Sequence, residues 1–79
     1  MKSNEAMKQS AIQYLRSDIE VLSEQNEDAE RRAYHHRAQA SLGTIMATGL
    51  ISHDEYQKLG NEIGEANTKA SVQVRASLK

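Results

Sequence analysis

The feature that most constrains the fold is a turn signal in residues 49–56, which read GLISHDEY. Gly49 suits the left-handed position that ends many helices, because it has no Cβ to clash there. Ser52 and Glu55 have the spacing of a capping box, in which each side chain accepts a hydrogen bond from the other residue's backbone amide. One helix therefore ends just before Gly49 and another begins just after Ser52. A connection this short makes the two helices antiparallel neighbours.

Helical periodicity extends on both sides of this turn. The chain has no Pro, and its apolar residues recur at spacings of three and four, as in an amphipathic helix. Before the turn they are Met7, Ala11, Ile12, Leu15, Ile19 and Leu22. After the turn they are Tyr56, Leu59, Ile63, Ala66, Ala70, Val74 and Leu78. The sequence predicts an all-α fold, in which a long helix (about 4–48) and a shorter helix (about 53–76) form an antiparallel hairpin. We expect residues 1–79 to be a single helical-hairpin domain.

Two glycines, Gly60 and Gly64, lie four residues apart within the second predicted helix. Inside a helix, Gly costs roughly 1 kcal/mol relative to Ala. The spacing predicts close contact between the helices near the turn, facing Leu42 or Gly43. The alternative is that these two positions are simply not optimised for stability.

Residues 42–63 resemble the helical hairpin of the short C-terminal (SHOCT) domain. The shared pattern is a Gly, two apolar residues, a Ser or Thr cap, acidic residues, an aromatic residue and then Lys-Leu. Here these positions are Gly49, Leu50, Ile51, Ser52, Asp54, Glu55, Tyr56, Lys58 and Leu59. The chain departs from the family at Gly60 and Asn61, where further Lys and long helix-forming residues are expected. The resemblance implies a role in oligomerisation or interaction, without catalysis.

The apolar stripe from residue 12 to 22 lies beyond the end of the second helix, which runs out opposite residues 23–27. Something must cover this stripe, because exposed aliphatic side chains forfeit the free energy of burial. In addition, Ile, Leu and Val make up only 14 of 79 residues, which are few for a chain that forms its own hydrophobic core. In one arrangement the chain bends near residues 23–26, with Asn26 as a new N-cap, and closes a three-helix bundle. In the other, the first helix runs straight and the stripe packs on a second chain. Because no Gly or Pro marks a break in residues 23–28, we favour the straight helix.

The charges then favour one orientation for this second chain. Residues 18–30 hold six acids and no base, whereas residues 31–37 hold three Arg and two His and no acid. An antiparallel pair of first helices sets acid against base, but a parallel pair stacks acid on acid. The sequence therefore predicts an antiparallel homodimer that forms a helical bundle. Its predicted interface residues are Ile12, Leu15, Ile19, Leu22, Ala29, Ala33 and His36.

Two further groups are candidates for contact with a different molecule. Tyr14 and Val21 lie seven residues apart and form a second apolar strip on the first helix, where an aromatic anchor suits protein binding. The basic patch consists of Arg31, Arg32, His35 and Arg37, with His36 beside them. The alternative for both groups is that they are ordinary surface residues in contact with solvent and bind no partner.

No part of the sequence has the pattern of a catalytic or metal site. His35 and His36 are adjacent, whereas two ligands on one helix face need a spacing of three or four. There is no Cys, no phosphate-cradling Gly loop and no Ser–His–carboxylate set on facing positions. We therefore expect no catalytic residue, no metal and no cofactor, and we expect that the protein is not an enzyme.

These observations predict a small non-enzymatic protein that acts by protein–protein binding. We interpret it as an accessory inhibitor or adaptor of a phage or mobile element that targets a host protein. The alternative is a small nucleic-acid-associated regulator that uses Arg31–Arg37, which the net charge of −1 disfavours. No apolar run is long enough for a membrane span or a signal peptide, so the expected location is cytoplasmic, with no membrane contact.

Overall fold

The computed structural model describes residues 4–78 and shows a bundle of three α-helices. The helices are α1 (Asn4–Ser23), α2 (Asp28–Ala47) and α3 (His53–Ser77). Each helix packs against both of the others, with α1 and α3 parallel to one another and α2 antiparallel to both. The prediction of an all-α chain is confirmed.

The predicted two-helix hairpin with a continuous first helix over about 4–48 is wrong. The helix stops at Ser23, the chain reverses through residues 24–27, and α1 folds back onto α2 and α3. This is the bent alternative that the sequence left open. Burying an aliphatic side chain is worth about 1.5–3 kcal/mol, so covering four of them within one chain outweighs the few helical hydrogen bonds lost at the break.

The core of the bundle uses most of the aliphatic residues that the chain possesses. Ten of its 14 Ile, Leu and Val residues are buried. Leu15 and Leu22 of α1 are fully enclosed. Ala38 and Ala70 are also 0 % exposed, so small side chains share the interior with the aliphatic ones. One chain therefore covers its own apolar stripe, and the overhang that called for a second chain is absent.

The α1–α2 connection is held by residues from the far end of α3. Gln73 Nε2 donates to the carbonyl oxygens of Ser23 (3.1 Å) and Gln25 (2.7 Å). Ser77 Oγ donates to the carbonyl oxygen of Asn26 (2.7 Å). The residue that caps α2 is Glu27, whose side chain makes no capping hydrogen bond. Asn26 is therefore an acceptor at this turn and not the N-cap that the bent alternative assigned to it.

The α2–α3 connection agrees with the sequence prediction. Gly49 has a φ of 77°, in the left-handed region. The Glu55 amide donates to Ser52 Oγ (3.1 Å) and the Ser52 amide donates to Glu55 Oε1 (2.8 Å). Both halves of the predicted capping box are present, and the start of α3 at His53 is confirmed.

Within residues 4–78, no helix is both long enough and apolar enough to cross a membrane.

Candidate protein-binding site

A groove between α1 and α2, which we call the Tyr14 groove, has a volume of about 410 Å³. Buried side chains from both helices form its floor, and an exposed aromatic residue and small residues form its rim. Its lining residues are Ala11, Tyr14, Leu15, Arg37, Ala40, Ser41, Thr44 and Ile45.

The periodicity of α1 explains why this groove has an aromatic rim. Leu15 is 0 % exposed and Ile45 is 8 % exposed, so they form the apolar floor. Tyr14 precedes Leu15 by one position, which turns its side chain about 100° away from the core, and it is 65 % exposed. Met7 lies two helical turns earlier on the same face and is 46 % exposed. Two large apolar side chains are thus presented to solvent on one face of α1, and Tyr14 is the one that lines the groove beside its apolar floor.

The opposite wall of the groove is built from small side chains on α2. Ala40 and Thr44 are exposed and Ser41 is half-buried. Residues 38–52 contain no charged side chain, so this wall and the turn that follows it are electrically neutral. Small, uncharged walls allow a partner element to approach closely without stripping water from a charge.

An ion pair lies at the end of the Tyr14 groove that is lined by Arg37. Arg37 Nε donates to Asp18 Oδ2 at 3.3 Å, and the Asp18 side chain is only 11 % exposed. The Asp18 carboxylate raises the pKa of Arg37 by its negative charge, with a smaller contribution from Tyr14. The end of the groove therefore carries a base and an acid that neutralise one another.

The structure divides the predicted partner-binding residues between two surfaces. Tyr14 and Arg37 come together in the Tyr14 groove, and Val21 is half-buried further along α1. Arg31 and His35 lie on the side of α2 that faces α3. Arg37 therefore lies on the α1 side of α2 and Arg31 and His35 on its α3 side, whereas Arg32 is exposed to solvent.

Acidic partners neutralise much of that basic segment. Asp28 accepts from Arg31 Nη2 and from Arg32 Nε, each at 2.9 Å. Hydrogen bonding to Arg31, followed by the charge of Arg32, holds the pKa of Asp28 below its ordinary value. The pKa of His35 is lowered chiefly by burial, with smaller contributions from Arg31 and His36. The segment carries less free positive charge than its sequence suggests.

The predicted dimer interface also divides into two groups. Ile12, Leu15, Ile19 and Leu22 are buried inside the chain's own bundle. By contrast, three predicted interface residues are exposed on the outer side of α2, and these are Ala29, Ala33 and His36. The antiparallel dimer was predicted in order to cover the apolar stripe of residues 12–22. Because the chain buries this stripe itself, the main argument for that dimer no longer applies, and the dimer stays a prediction.

A second groove, between α2 and α3, was missed by sequence reasoning and has a volume of about 700 Å³. We call it the α2/α3 groove. Its lining residues are His35, Gln39, Leu42, Tyr56, Gln57, Gly60, Asn61, Ile63 and Gly64. The glycine spacing was the available signal, but it was read as close contact between α2 and α3. A Cβ added at Gly64 would meet nothing within 4 Å, and one at Gly60 would meet only Leu42 Cδ2 at 3.9 Å.

Across residues 4–78, no group of three or more His, Cys, Asp or Glu side chains is placed to hold a metal ion. Comparison with protein-family models, curated proteins and solved structures finds no match to this chain. The SHOCT-like pattern of residues 42–63 therefore stays a local resemblance.

Proposed function

We propose that this chain is a non-enzymatic protein-binding module that acts as an accessory inhibitor or adaptor, of the kind carried by phages or mobile elements, on a host protein. The Tyr14 groove is the contact surface. The observation that carries the proposal is the 65 % exposure of Tyr14 directly beside an apolar floor.

The physical argument concerns where binding energy concentrates. Tyr and Arg are enriched among the few residues that dominate protein interfaces, and the Tyr14 groove has one of each, Tyr14 and Arg37. Met7 adds a flexible apolar side chain on the same helix face, which suits adaptable contacts.

The shape of the groove indicates the kind of element that fits it. The groove lies between two antiparallel helices, with the exposed Tyr14 side chain on α1 and small side chains on α2. An amphipathic helix of a partner can lie in such a groove and convert three helices into a four-helix arrangement. Binding of this type depends on apolar burial more than on charge.

The test compares capture of proteins from a native lysate by three forms of the chain. These forms are the wild type, Tyr14→Ala, and Val72→Ala as the matched control, because Val72 is 54 % exposed on α3, away from the groove. We expect a protein that the wild type and the control retain and that Tyr14→Ala loses. Calorimetry with that protein should show about tenfold or greater weakening for Tyr14→Ala.

Salt separates this function from nucleic-acid binding. Apolar protein contacts persist in high salt, whereas nucleic-acid contacts weaken steeply as counterions return. A target retained equally by wild type and Tyr14→Ala would contradict the assignment of the groove. Retention of nucleic acid alone, lost in high salt, would favour the regulator that uses Arg31–Arg37.

A further inference from the structure

α1 and α2 share an outer face on the side of the bundle away from α3, which we call the α1/α2 face. On α1 it consists of residues spaced three and four apart, namely Met7, Ser10, Tyr14, Ser17 and Val21. On α2 it consists of exposed residues, namely Ala29, Ala33, Ala40, Thr44 and Ala47. The side chains of Lys8 and Arg16, which pair with α3, lie on a different side of α1. None of the residues that define the face is charged, and the Tyr14 groove is its centre.

The two helices contribute side chains of different size to this face. α1 presents large apolar side chains at intervals of seven residues, Met7, Tyr14 and Val21, which form a ridge. α2 presents chiefly Ala, which forms a trough beside the ridge. A two-fold axis parallel to the helices places the ridge of each copy in the trough of the other. An axis perpendicular to the helices that packs the same faces together would instead set ridge against ridge.

The levels of the residues along the bundle fit this packing. Asp18 and Arg37 form an ion pair, so they lie at the same level of the two antiparallel helices. Tyr14, four residues before Asp18, therefore lies level with Ser41, four residues after Arg37. Rotation about an axis parallel to the helices leaves every level unchanged, so Tyr14 of one copy also lies level with Ser41 of the other.

Each large side chain of the ridge then lies beside an Ala in the trough of the other copy. Counting seven residues in either direction from Tyr14 and Ser41 gives the other two contacts, to within one residue. The pairs are Met7 with Ala47, Tyr14 with Ala40, and Val21 with Ala33. Large side chains opposite small ones pack closely without voids or clashes.

The charges along the two outer edges of the face favour the same packing. The edge of α1 carries Glu20 and Glu24, which are exposed and form no ion pair among residues 4–78. The edge of α2 carries Arg32 and His36, which are also exposed. The same count places these two acids and these two basic residues at the same levels, to within one residue. Within one copy the edges lie on opposite sides of the face, whereas in the dimer each acidic edge lies beside the basic edge of the other copy.

The ion pair in the middle of the face is compatible with this packing. Arg37 Nε and Asp18 Oδ2 lie 3.3 Å apart, so the pair is neutral overall. The two-fold axis reverses the order of the two residues across the face. Arg37 of each copy therefore faces Asp18 of the other, and like charges are not set opposite one another.

The size of the α1/α2 face is sufficient for a specific dimer. α1 and α2 have 20 residues each and are about 30 Å long at 1.5 Å per residue. Two helices about 10 Å apart give a face roughly 20 Å wide, or roughly 600 Å². Specific interfaces begin at about 600 Å² from each partner. Because the packing keeps every level, the whole length of the face is paired, and the dimer belongs to the smaller, reversible class.

We propose that the α1/α2 face is a homodimer interface, in which α1 of each copy packs antiparallel on α2 of the other about a two-fold axis parallel to the helices. The four helices form a bundle in which all neighbours are antiparallel. This dimer covers the Tyr14 groove, so self-association regulates access to the groove. That regulatory role, but not the dimer itself, rests on the proposed function.

Sedimentation equilibrium of the full chain from low micromolar to millimolar concentration tests the dimer. The test variant is Ala40→Glu, which puts an unpaired charge in the trough beside Tyr14 of the other copy, where burial is costly. The matched control is Ala76→Glu, at an exposed position of α3. We expect the wild type and the control to rise from 8.8 kDa to twice that mass, and Ala40→Glu to dimerise at least about tenfold more weakly. A wild type that stays monomeric, or an Ala40→Glu variant that unfolds cooperatively and dimerises as the control does, would overturn the proposal.

Charge reversal at the edges tests the direction of packing and leaves the Tyr14 groove unchanged. Glu24→Arg and Arg32→Glu each set like charges side by side at two symmetric places, and each should weaken dimerisation about threefold or more. The double variant restores opposite charges and should return to within about twofold of the wild type. A double variant that dimerises no better than the single variants would overturn this arrangement.

Failure of the dimer and failure of the proposed function are distinguishable, because sedimentation uses no target protein. A dimer with the expected charge rescue but no Tyr14-dependent target supports the interface and contradicts the function. A monomeric chain that captures such a target does the reverse. Where a target is captured, its apparent affinity should fall as the chain concentration enters the range in which the dimer forms. A target that binds the intact dimer would overturn the regulatory role.

Discussion

The two connections between helices are similar in length, but different parts of the chain hold them. The α2–α3 turn is local, because Gly49 supplies the positive φ and Ser52 and Glu55 cap one another within four residues. The α1–α2 turn has no positive φ, and Glu27 makes no capping hydrogen bond. Its carbonyl groups are satisfied by Gln73, which is about fifty residues away in sequence.

The two turns therefore differ in which residues stabilise them. The α2–α3 turn has its hydrogen bonds as soon as its own residues adopt the right dihedral angles. The α1–α2 turn has local backbone bonds from Glu24 and Gln25 to the last turn of α1, but the carbonyl groups of Ser23, Gln25 and Asn26 find their donors on α3 only when α3 is packed against α1. We therefore expect the α1–α2 turn to depend on the integrity of the whole bundle, and five predictions test this contrast.

The largest effect is expected from Leu22→Ala. Leu22 is 0 % exposed in the last turns of α1, and truncating such a residue costs about 2–5 kcal/mol. Urea denaturation measures the loss. The control is Leu78→Ala, which removes a side chain that is 79 % exposed and should change stability by less than about 0.5 kcal/mol. Equal, small effects would mean that α1 does not fold back onto the core.

Gly49→Ala should destabilise the α2–α3 turn. A residue with a Cβ costs about 1–2 kcal/mol in the left-handed region, and Gly49 has a φ of 77°. Gly49→Asn should cost less, because Asn visits that region more readily. The measurement is the free energy of unfolding in urea. A cost for Asn as large as that for Ala would contradict the backbone explanation.

Gln73→Ala tests the remote support of the α1–α2 turn. It removes the donor for the carbonyl groups of Ser23 and Gln25, and a typical hydrogen bond contributes about 1 kcal/mol. Amide hydrogen exchange should quicken in residues 23–27 and stay unchanged in residues 48–52. Gln57→Ala, at an exposed position of the same helix, serves as the control. Unchanged exchange near residue 25 would show that the turn is held locally after all.

Glu27→Ser should give the α1–α2 turn the local signal that it lacks. With Ser at the N-cap, Glu30 stands at the third helical position, so the pair forms a capping box like that of Ser52 and Glu55. We expect a gain of about 0.5–1 kcal/mol in the free energy of unfolding. Glu27→Ala controls for loss of the carboxylate and should give no gain. A Ser variant no more stable than the Ala variant would contradict the capping argument.

The smallest effect is a change in pH dependence at the start of α3. The hydrogen bond from Lys8, followed by that from the Ser52 amide, lowers the pKa of Glu55 from 4.5 to about 2. A lowered folded-state pKa stabilises the protein above pH 4.5, and this contribution is lost as the pH falls towards about 2.

Glu55→Gln keeps a residue that completes a capping box but cannot titrate. Its free energy of unfolding should therefore fall less steeply between about pH 4.5 and about pH 2 than that of the wild type. Lys8→Met, which removes the partner, should also give a shallower slope. Wild-type slopes in both variants would refute the link.

Sequence reasoning located the α2–α3 turn because its signals are local. Gly49, Ser52 and Glu55 act on their own backbone, and their residue types allow few alternatives. The buried stripe of α3 was predicted for a similar reason, and Leu59, Ile63 and Val74 are buried as expected. The absence of Gly and Pro in residues 23–28 favoured a straight helix over a break after Ser23, but helix propensity is only a weak prior that tertiary packing can override.

The candidate site was predictable only in part. Tyr14 was identified from its position off the main apolar stripe, and the structure exposes it. Arg37 lies beside Tyr14, whereas Arg31 faces α3. This difference depends on how α2 is rotated about its axis relative to α1 and α3, which the sequence does not specify. The α2/α3 groove was missed because Gly60 and Gly64 suggest close packing when read in sequence, whereas their surroundings in the bundle are open.

The amino-acid sequence alone specified helices, the capped turn at residues 49–56 and the apolar faces, since these follow from short-range sterics and periodicity. Tertiary packing specified that Ile12 to Leu22 would be covered by the chain itself. In this fold, the free energy gained by burying four aliphatic side chains exceeds the cost of a short break in a helix. Hydrogen bonds from the distant residues Gln73 and Ser77 reduce that cost. No local pattern carries that information, because the hydrogen bonds from Gln73 and Ser77 to the break form only when α3 is in place.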